Sequence, residues 1–431
     1  MINIYKNNEI DTFLDRFESR RTDVSDKVVQ SVNEILSNVR DNGDQAVADY
    51  AKKFDQTDLL QAGFKVDLKN LKQAHQNLDI ELIDIIRQSR ENIRSFHAKG
   101  LPQSWLSWEQ DEVILGQRVI PLNRVGVYVP GGTAAYPSSL LMGAVPAQVA
   151  GVKEIVMVTP SDKDGNVNPV ILATAYELGI EQVFRVGGAH AIAALAFGTQ
   201  TIPRVDKIVG PGNIYVATAK KLLYGTVGID MVAGPSEVVV IADDSAHADF
   251  VAADLLAQAE HDTLASSIMI TPSNSFANRV AEAVKEQMQT LPRASIASQS
   301  LESYGGIIVL DDLPACINVC NRLAPEHLGL HIEDPWKWLG YLTTSGAIFL
   351  GSYSPEAVGD YWAGPNHVLP TNGSGRFFSP LRTEDFLKTS SIISYSEKAM
   401  QKHGDKIIRF ANAEGLQAHA NAIQRRIKNN A

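Results

Sequence analysis

The sequence predicts an α/β protein in which two parallel-sheet domains lie between a helical N-terminal region and a helical C-terminal tail. Three observations carry that expectation. Residues 1–110 place apolar side chains at helical spacing, with no proline before Pro102. From about residue 118 the pattern changes to short apolar runs closed by glycine or proline, each followed by an Ala- and Leu-rich stretch, the sequence form of repeated βα units. Beyond about residue 385 the chain is polar and helical again. The boundaries read 1–110, 111–235, 236–384 and 385–431, and a chain of 431 residues is long enough for them.

The N-terminal helices are read from V-V-Q-S-V-N-E-I-L-S-N-V (28–39) and I-E-L-I-D-I-I-R-Q-S-R-E-N-I-R (80–94). A first set of strands follows at R-V-G-V-Y-V-P-G-G (124–132), E-I-V-M-V-T-P (154–160), Q-V-F-R-V-G-G (182–188) and D-K-I-V-G-P-G-N (206–213). A second set lies at E-V-V-V-I-A-D (237–243), S-S-I-M-I-T-P (266–272), G-G-I-I-V-L-D (305–311) and G-A-I-F-L-G (346–351). Strands joined by crossover helices run parallel, and such sheets hold ligands at the carboxyl ends of their strands. Neither G-P-G-N-I-Y (210–215) nor G-S-G-R-F-F (373–378) completes the dinucleotide fingerprint G-x-G-x-x-G, so any nicotinamide site here is not the usual one. The turns V-P-G-G (129–132) and G-P-G-N (210–213) still offer backbone amides and helix N-termini to a phosphate, with Asn213 as a cap. The tail is too short to hold a core and must dock on its own body or on another subunit.

Composition narrows the function. Thirty-nine basic residues stand against 49 acidic ones, for a formal charge of −10 and no Lys/Arg-rich run, which argues against a nucleic-acid surface and for a small substrate. The two cysteines, Cys316 and Cys320, make no disulfide framework and fit a reducing cytoplasm; four apart on a helix they read as core thiols, a metal pair or a nucleophile being the alternatives. No signal-peptide core opens the chain, and the most apolar segment, 139–158, is interrupted by Pro146, Lys153 and Glu154, so no membrane association is expected.

Four segments could do chemistry. R-L-A-P-E-H-L-G-L (322–330) sets Glu326 beside His327, a carboxylate and an imidazole able to move protons near neutral pH, or else a solvated pair after a proline. In D-F-V-A-A-D-L-L-A-Q-A-E-H-D (249–262), Asp254, Gln258 and His261 form a polar stripe at i, i+4 and i+7, and Gln258 and His261 could grip one metal ion; a solvated stripe is the plainer reading. His367 lies in Y-W-A-G-P-N-H-V-L-P (361–370), and Glu414 and His419 lie in E-G-L-Q-A-H-A-N-A (414–422), where a solvated helix face is the default. His331, four residues after His327, reads as structural.

In order along the chain, G-V-Y-V-P-G-G, V-G-P-G-N, A-G-P-S-E-V, L-L-A-Q-A-E-H-D, A-P-E-H-L, V-G-D-Y-W-A-G-P-N-H-V-L-P-T and E-G-L-Q-A-H closely resemble the histidinol dehydrogenase family, from about residue 30 to the end. The resemblance implies two incomplete, aldehyde-dehydrogenase-like Rossmann-type domains. It further implies a cytoplasmic homodimer with shared active sites, one Zn2+ per subunit, and NAD as the oxidant for L-histidinol, taken through an aldehyde to L-histidine as the last steps of histidine biosynthesis. It assigns the metal to Gln258, His261, Asp360 and His419, the last from the partner chain, and catalysis to His327 for the alcohol proton and Glu326 for the attacking water. Substrate contacts fall to Ser236, Gln258, His261, His327, Asp360, His367, Glu414 and His419, with zinc mainly orienting the substrate. Cofactor contacts fall to Tyr128, Asn213 and the residue after G-G-A, which here is His190 where the family usually has Gln; an imidazole replaces only part of an amide's hydrogen bonding. The rival readings are a related zinc and NAD dehydrogenase of another polyol such as sulfopropanediol, a Cys320 thiol nucleophile, a non-catalytic nucleotide binder, and a metallohydrolase.

Overall fold

The structure, a computed structural model, describes residues 2–19, 25–131 and 135–427. Two parallel sheets organise it. The first has five strands in the order Gln182–Phe184, Glu154–Val158, Arg124–Tyr128, Lys207–Val209, Gly228–Ile229. The second has six, in the order Ile4–Tyr5, Gly306–Val309, Ser266–Thr271, Glu237–Ala242, His327–His331, Ala347–Leu350. Leaving aside Ile4–Tyr5, each sheet runs third, second, first, fourth, fifth strand in chain order. The winding therefore reverses between Arg124–Tyr128 and Lys207–Val209 in one sheet, and between Glu237–Ala242 and His327–His331 in the other. Crevices for ligands open at such reversals.

The strands form where the sequence is apolar without alternation, because both faces are covered by helices. Glu237–Ala242 and Ser266–Thr271 are buried at every position. The Pro137–Ala150 helix packs so closely that a Cβ on Gly143 would lie 2.8 Å from Val127 Cγ1, which is why that turn carries glycine. The N-terminal helices are pinned to the first unit by the largely buried Glu177, whose carboxylate meets His75 Nε2 at 2.7 Å and accepts from Arg87 Nε at 2.9 Å.

Several elements depart from the sequence reading. Residues 1–110 are not wholly helical: Ile4–Tyr5 is an edge strand of the second sheet, and Phe13, Leu14 and Phe17 of the following helix enter that sheet's core. The A-P-E-H-L-G-L segment contributes a central strand, His327–His331. A third, antiparallel sheet joins Trp105–Trp108, Ile114–Pro121 and Leu387–Ser394, so the tail begins with a strand. This strand is mostly exposed, which is why its sequence reads as polar. The tail helices Glu397–Ala413 and Gln417–Ile427 dock on this sheet through Asp111, which takes the Lys398 and Lys402 ammonium groups while its carbonyl accepts from Ser396 Oγ. No helix among the described residues is long and apolar enough to cross a membrane.

Candidate active site

Two clusters of predicted residues lie at the two reversal points. In the second sheet the cluster sits at the amino edge of the strands, opposite to the carboxyl edge that parallel topology leads one to expect. Ser236 immediately precedes the Glu237–Ala242 strand, and Glu326 and His327 stand at the start of its neighbour, with His327 paired to Val238. Gln258 and His261 end the Ala248–Ala259 helix, which runs back toward that same edge. Asp360 lies on the Glu356–Tyr361 helix, and His367 in the loop beyond it.

One backbone residue grips both neighbours of the Glu326–His327 pair. The Glu237 N–H donates to Glu326 Oε2 at 2.9 Å, and the Glu237 carbonyl lies 3.1 Å from His327 Nδ1. A carbonyl only accepts, so Nδ1 carries the proton and Nε2 keeps its lone pair for the site. His367 is set in the same way, its Nδ1 donating to the Asp360 carbonyl at 3.2 Å. The segment that carries it is bolted to the first unit by Asn366 Nδ2 to the Met142 carbonyl at 2.8 Å, and to the N-terminal helices by Ser89 Oγ to the Tyr361 carbonyl at 2.8 Å and Asn92 Nδ2 to the Trp362 carbonyl at 2.8 Å.

Burial dominates the electrostatics. It raises the Glu326 carboxyl well above the usual range, against the Glu237 N–H, which favours the anion. It lowers His327, a shift the Asp360 carboxylate opposes, and it lowers His367 to about 4, with the neighbouring His327 and His261 adding to the effect. His261, at the rim, is lowered by burial of its inner side and by His327. Asp360 is pushed up to about 6 by burial, which His327 opposes and Glu356 reinforces. The imidazoles are therefore neutral near neutral pH, crowded by carboxyl groups that meet no Lys or Arg among the described residues.

Glu356 escaped the sequence reading. It is buried, its Oε2 has no hydrogen-bond partner, it lies 3.9 Å from His327 Nδ1, and burial pushes it up to about 8 with Asp254 adding to the shift. Its position four residues before Asp360 on one helix face is the signal that could have found it. Asp254, one turn before Gln258, points inward and meets the buried His331 at 3.3 Å.

At the first sheet the predicted residues gather at the carboxyl edge. Tyr128 ends its strand, buried, and its hydroxyl accepts from the Gly188 N–H at 3.2 Å; burial pushes the phenol up to about 12. Asn213 caps the Ile214–Leu223 helix, its Oδ1 accepting from the Tyr215 and Val216 amides at 3.1 and 3.2 Å, so its amide donors remain for a ligand. The G-P-G-N turn is held from below: Lys220 Nζ donates to the Gly210 carbonyl at 2.9 Å, Asp230 accepts from the Gly210 N–H at 2.8 Å, and Lys220 and Asp230 form a fully buried ion pair. Gly210 has φ +116°, and a Cβ there would lie 2.1 Å from the Tyr128 carbonyl oxygen. His190 is turned into the crevice wall with 1% of its surface exposed. Gly132 of the V-P-G-G turn lies outside the described residues.

The remaining predicted residues are not brought to either cluster within one chain. Glu414 and His419 are exposed on the tail, on either side of Gly415. Among the described residues no three His, Cys, Asp or Glu side chains close on one metal position, so a cation at the second cluster needs the Gln258 amide oxygen and a further ligand from elsewhere. Cys316 and Cys320 are fully buried in the core beneath the second sheet, and burial pushes each thiol up to about 12. That placement removes the reading in which Cys320 is a nucleophile, since the attacking species is the thiolate.

The histidinol dehydrogenase family model matches residues 18–427. The chain is 54% identical to the histidinol dehydrogenase of Geobacillus kaustophilus over 399 residues, 93% of this chain and 94% of that one. It is 52% identical to the histidinol dehydrogenase of Bacillus subtilis over 397 residues, 92% of each. The crystal structure of the histidinol dehydrogenase from Elizabethkingia anophelis superposes with a TM-score of 0.93 at 38% identity, covering 99% of this chain and 98% of that one. With sequence and fold matched along nearly its whole length, the chain belongs to the histidinol dehydrogenase family of oxidoreductases.

Proposed function

We propose that the protein oxidises L-histidinol to L-histidine through L-histidinaldehyde, passing two hydrides in turn to two NAD molecules, as a cytoplasmic homodimer with one zinc ion per subunit. The observation that carries this reading is the double grip of Glu237 on Glu326 and His327, which aims two proton acceptors into one site. In the first step the neutral His327 Nε2 takes the hydroxyl proton as the carbinol carbon gives up hydride. In the second, Glu326 takes a proton from the water that attacks the aldehyde carbon, and the hydrate's carbon gives up hydride to leave the acid. Two oxidations are needed because alcohol to carboxylate is a four-electron change.

The residues fit a divalent cation. Gln258 is buried with its Oε1 unpartnered among the described residues, and Asp360 Oδ1 lies 3.7 Å from His367 Nδ1 in surroundings that raise its pKa, a site a cation relieves. Gln258, His261 and Asp360 would hold zinc with His419 of the partner subunit as the fourth ligand. Zinc there supplies an anchor for the substrate's imidazole and amine. Ser236 and His367 line the substrate position, and the partner's Glu414 offers a carboxylate to a cationic amino alcohol. NAD, the hydride acceptor, would lie over Tyr128 and Asn213, with the buried His190 in the wall behind them.

Incubating the metal-loaded protein with L-histidinol and NAD should yield two NADH per histidine. A ratio of one, or none, overturns the reading. Asp360→Ala and His419→Ala should each be inactive, and subunit exchange between them should restore about a quarter of wild-type activity, because half the dimers are mixed and each mixed dimer has one intact site. No recovery on proven exchange would sink the shared site.

A further inference from the structure

One carboxylate at the first crevice has no part in the chemistry above. Asp55 follows the Asp44–Phe54 helix, and its position is fixed by the chain on both sides. Its own N–H donates to the Ala51 carbonyl at 2.9 Å. Thr57, with 1% of its surface exposed, donates to the Asp162 carbonyl at 2.7 Å and meets Ser161 Oγ at 3.1 Å. This suspends Asp55 over the loop that leaves the Glu154–Val158 strand, the second strand of the first sheet. In doubly wound nucleotide-binding sheets a carboxylate at the end of the second strand takes the hydroxyls of the nucleoside ribose. Here a different stretch of chain delivers a carboxylate to the same place.

The surroundings point to a ligand. The carboxylate is 23% exposed, open on one side, and its nearest basic group is His190 Nε2 at 3.9 Å, too far for a hydrogen bond. The His190 ring is buried between Tyr50 and Phe54, against Gly188, and neither of its nitrogens has a hydrogen-bond partner. Among the described residues neither the Asp55 carboxylate nor the buried His190 imidazole has a hydrogen-bond partner, and of the two only the carboxylate is open to a ligand. Burial pushes Asp55 up to about 6, and its charge reaches the Tyr128 phenol, so carboxyl, imidazole and phenol share one space. Hydroxyl groups donate to such a carboxylate; a phosphate dianion next to Asp55 is repelled.

Resting on the assignment of NAD to this crevice, we propose that Asp55 binds the ribose hydroxyls of the cofactor's adenosine half, with His190 beside it, and so selects the unphosphorylated dinucleotide over its 2′-phosphate form. The test is equilibrium binding of NAD and of NADP by titration calorimetry, beside steady-state kinetics with each, on Asp55→Ala and the isosteric Asp55→Asn, with Asn213→Ala as reference and thermal melting to confirm folding. Losing hydrogen bonds to a charged acceptor should raise KM for NAD about ten- to hundredfold in Asp55→Ala, while kcat at saturating NAD holds and the preference for NAD over NADP falls by about tenfold or more. An equal rise in KM for both cofactors marks a merely structural residue and overturns the proposal. An unchanged KM in the Asp55 variants beside a raised one in Asn213→Ala overturns it alone; no change in any of the three overturns the cofactor assignment as well. Should Asp55→Ala melt below assay temperature, Asp55→Asn decides by the same outcomes.

Discussion

The two parallel sheets share one strand order, yet the predicted residues occupy opposite edges of them. At the first sheet they gather at the carboxyl edge, where glycine-rich turns and helix N-termini present backbone amides and where an ion pair, Lys220 with Asp230, is spent wholly on holding a turn. At the second they gather at the amino edge, where Glu326, Glu356, Asp360, His261, His327 and His367 crowd together and burial shifts them toward neutral forms. The same topology thus gathers backbone donors at one end and a crowd of titratable side chains at the other. Winding order alone does not decide which edge works; the helix that ends in Gln258 and His261, and the loop pinned through Asn366, decide it by where they stop.

The largest expected effect comes from breaking the second region's division of labour. Glu326→Gln keeps the shape and the Glu237 N–H contact but removes the proton acceptor. Conversion of the aldehyde to the acid should fall about 10²- to 10⁴-fold while the first hydride transfer persists, read by single-turnover NADH bursts with alcohol and with aldehyde as substrate. Equal loss of both half-reactions would place the two acceptors in one role and erase the distinction between them.

The same contrast explains what could be read from sequence. Glu237–Ala242 and Arg124–Tyr128 are legible because buried parallel strands are short Val-rich runs without polar alternation. Ile4–Tyr5 is two residues long and has no period to detect, and His327–His331 hides because histidines stand at inward positions usually held by aliphatic side chains. Helical spacing puts Gln258 and His261 on one face, and the sequence leaves open whether that face is solvated. The amino-edge location was not legible, since it depends on contacts such as Asn366 to Met142 that span 224 residues. Glu356 was missed because an isolated glutamate at a helix start ordinarily serves the helix dipole.

The second prediction addresses the first region. Lys220→Met strands Asp230 as an unpaired buried charge beneath the G-P-G-N turn, which typically costs about 3–5 kcal/mol. Urea unfolding should show that loss, and KM for NAD should rise as Asn213 loses its fixed place. Lys220→Met combined with Asp230→Leu should recover most of the stability but not the KM, because the Gly210 N–H and carbonyl stay unpartnered. Recovery of both would mean that the turn needs no support from below.

The smallest effect is a pH dependence confined to the second region. Glu356 and Asp360 have folded-state pKa values of about 8 and about 6, above their ordinary 4.5 and 3.8, with burial as the first cause of each. For an acid raised in this way the native state holds its proton longer than the unfolded chain does. The stability it contributes is therefore complete below about pH 4 and is lost progressively as pH rises through 6 and then 8. Metal-stripped protein should accordingly be less stable at pH 8 than at pH 5, by up to about 4 kcal/mol from Glu356 alone, measured as a falling melting temperature. Glu356→Gln, which has no proton to lose, should flatten the part of that slope above pH 6, and added zinc should flatten the part due to Asp360, its proposed ligand. A slope unchanged by Glu356→Gln would mean that this carboxyl group is already ionised in the folded protein at pH 5, and the second region would then owe its crowding to a charge pattern rather than to protons held by burial.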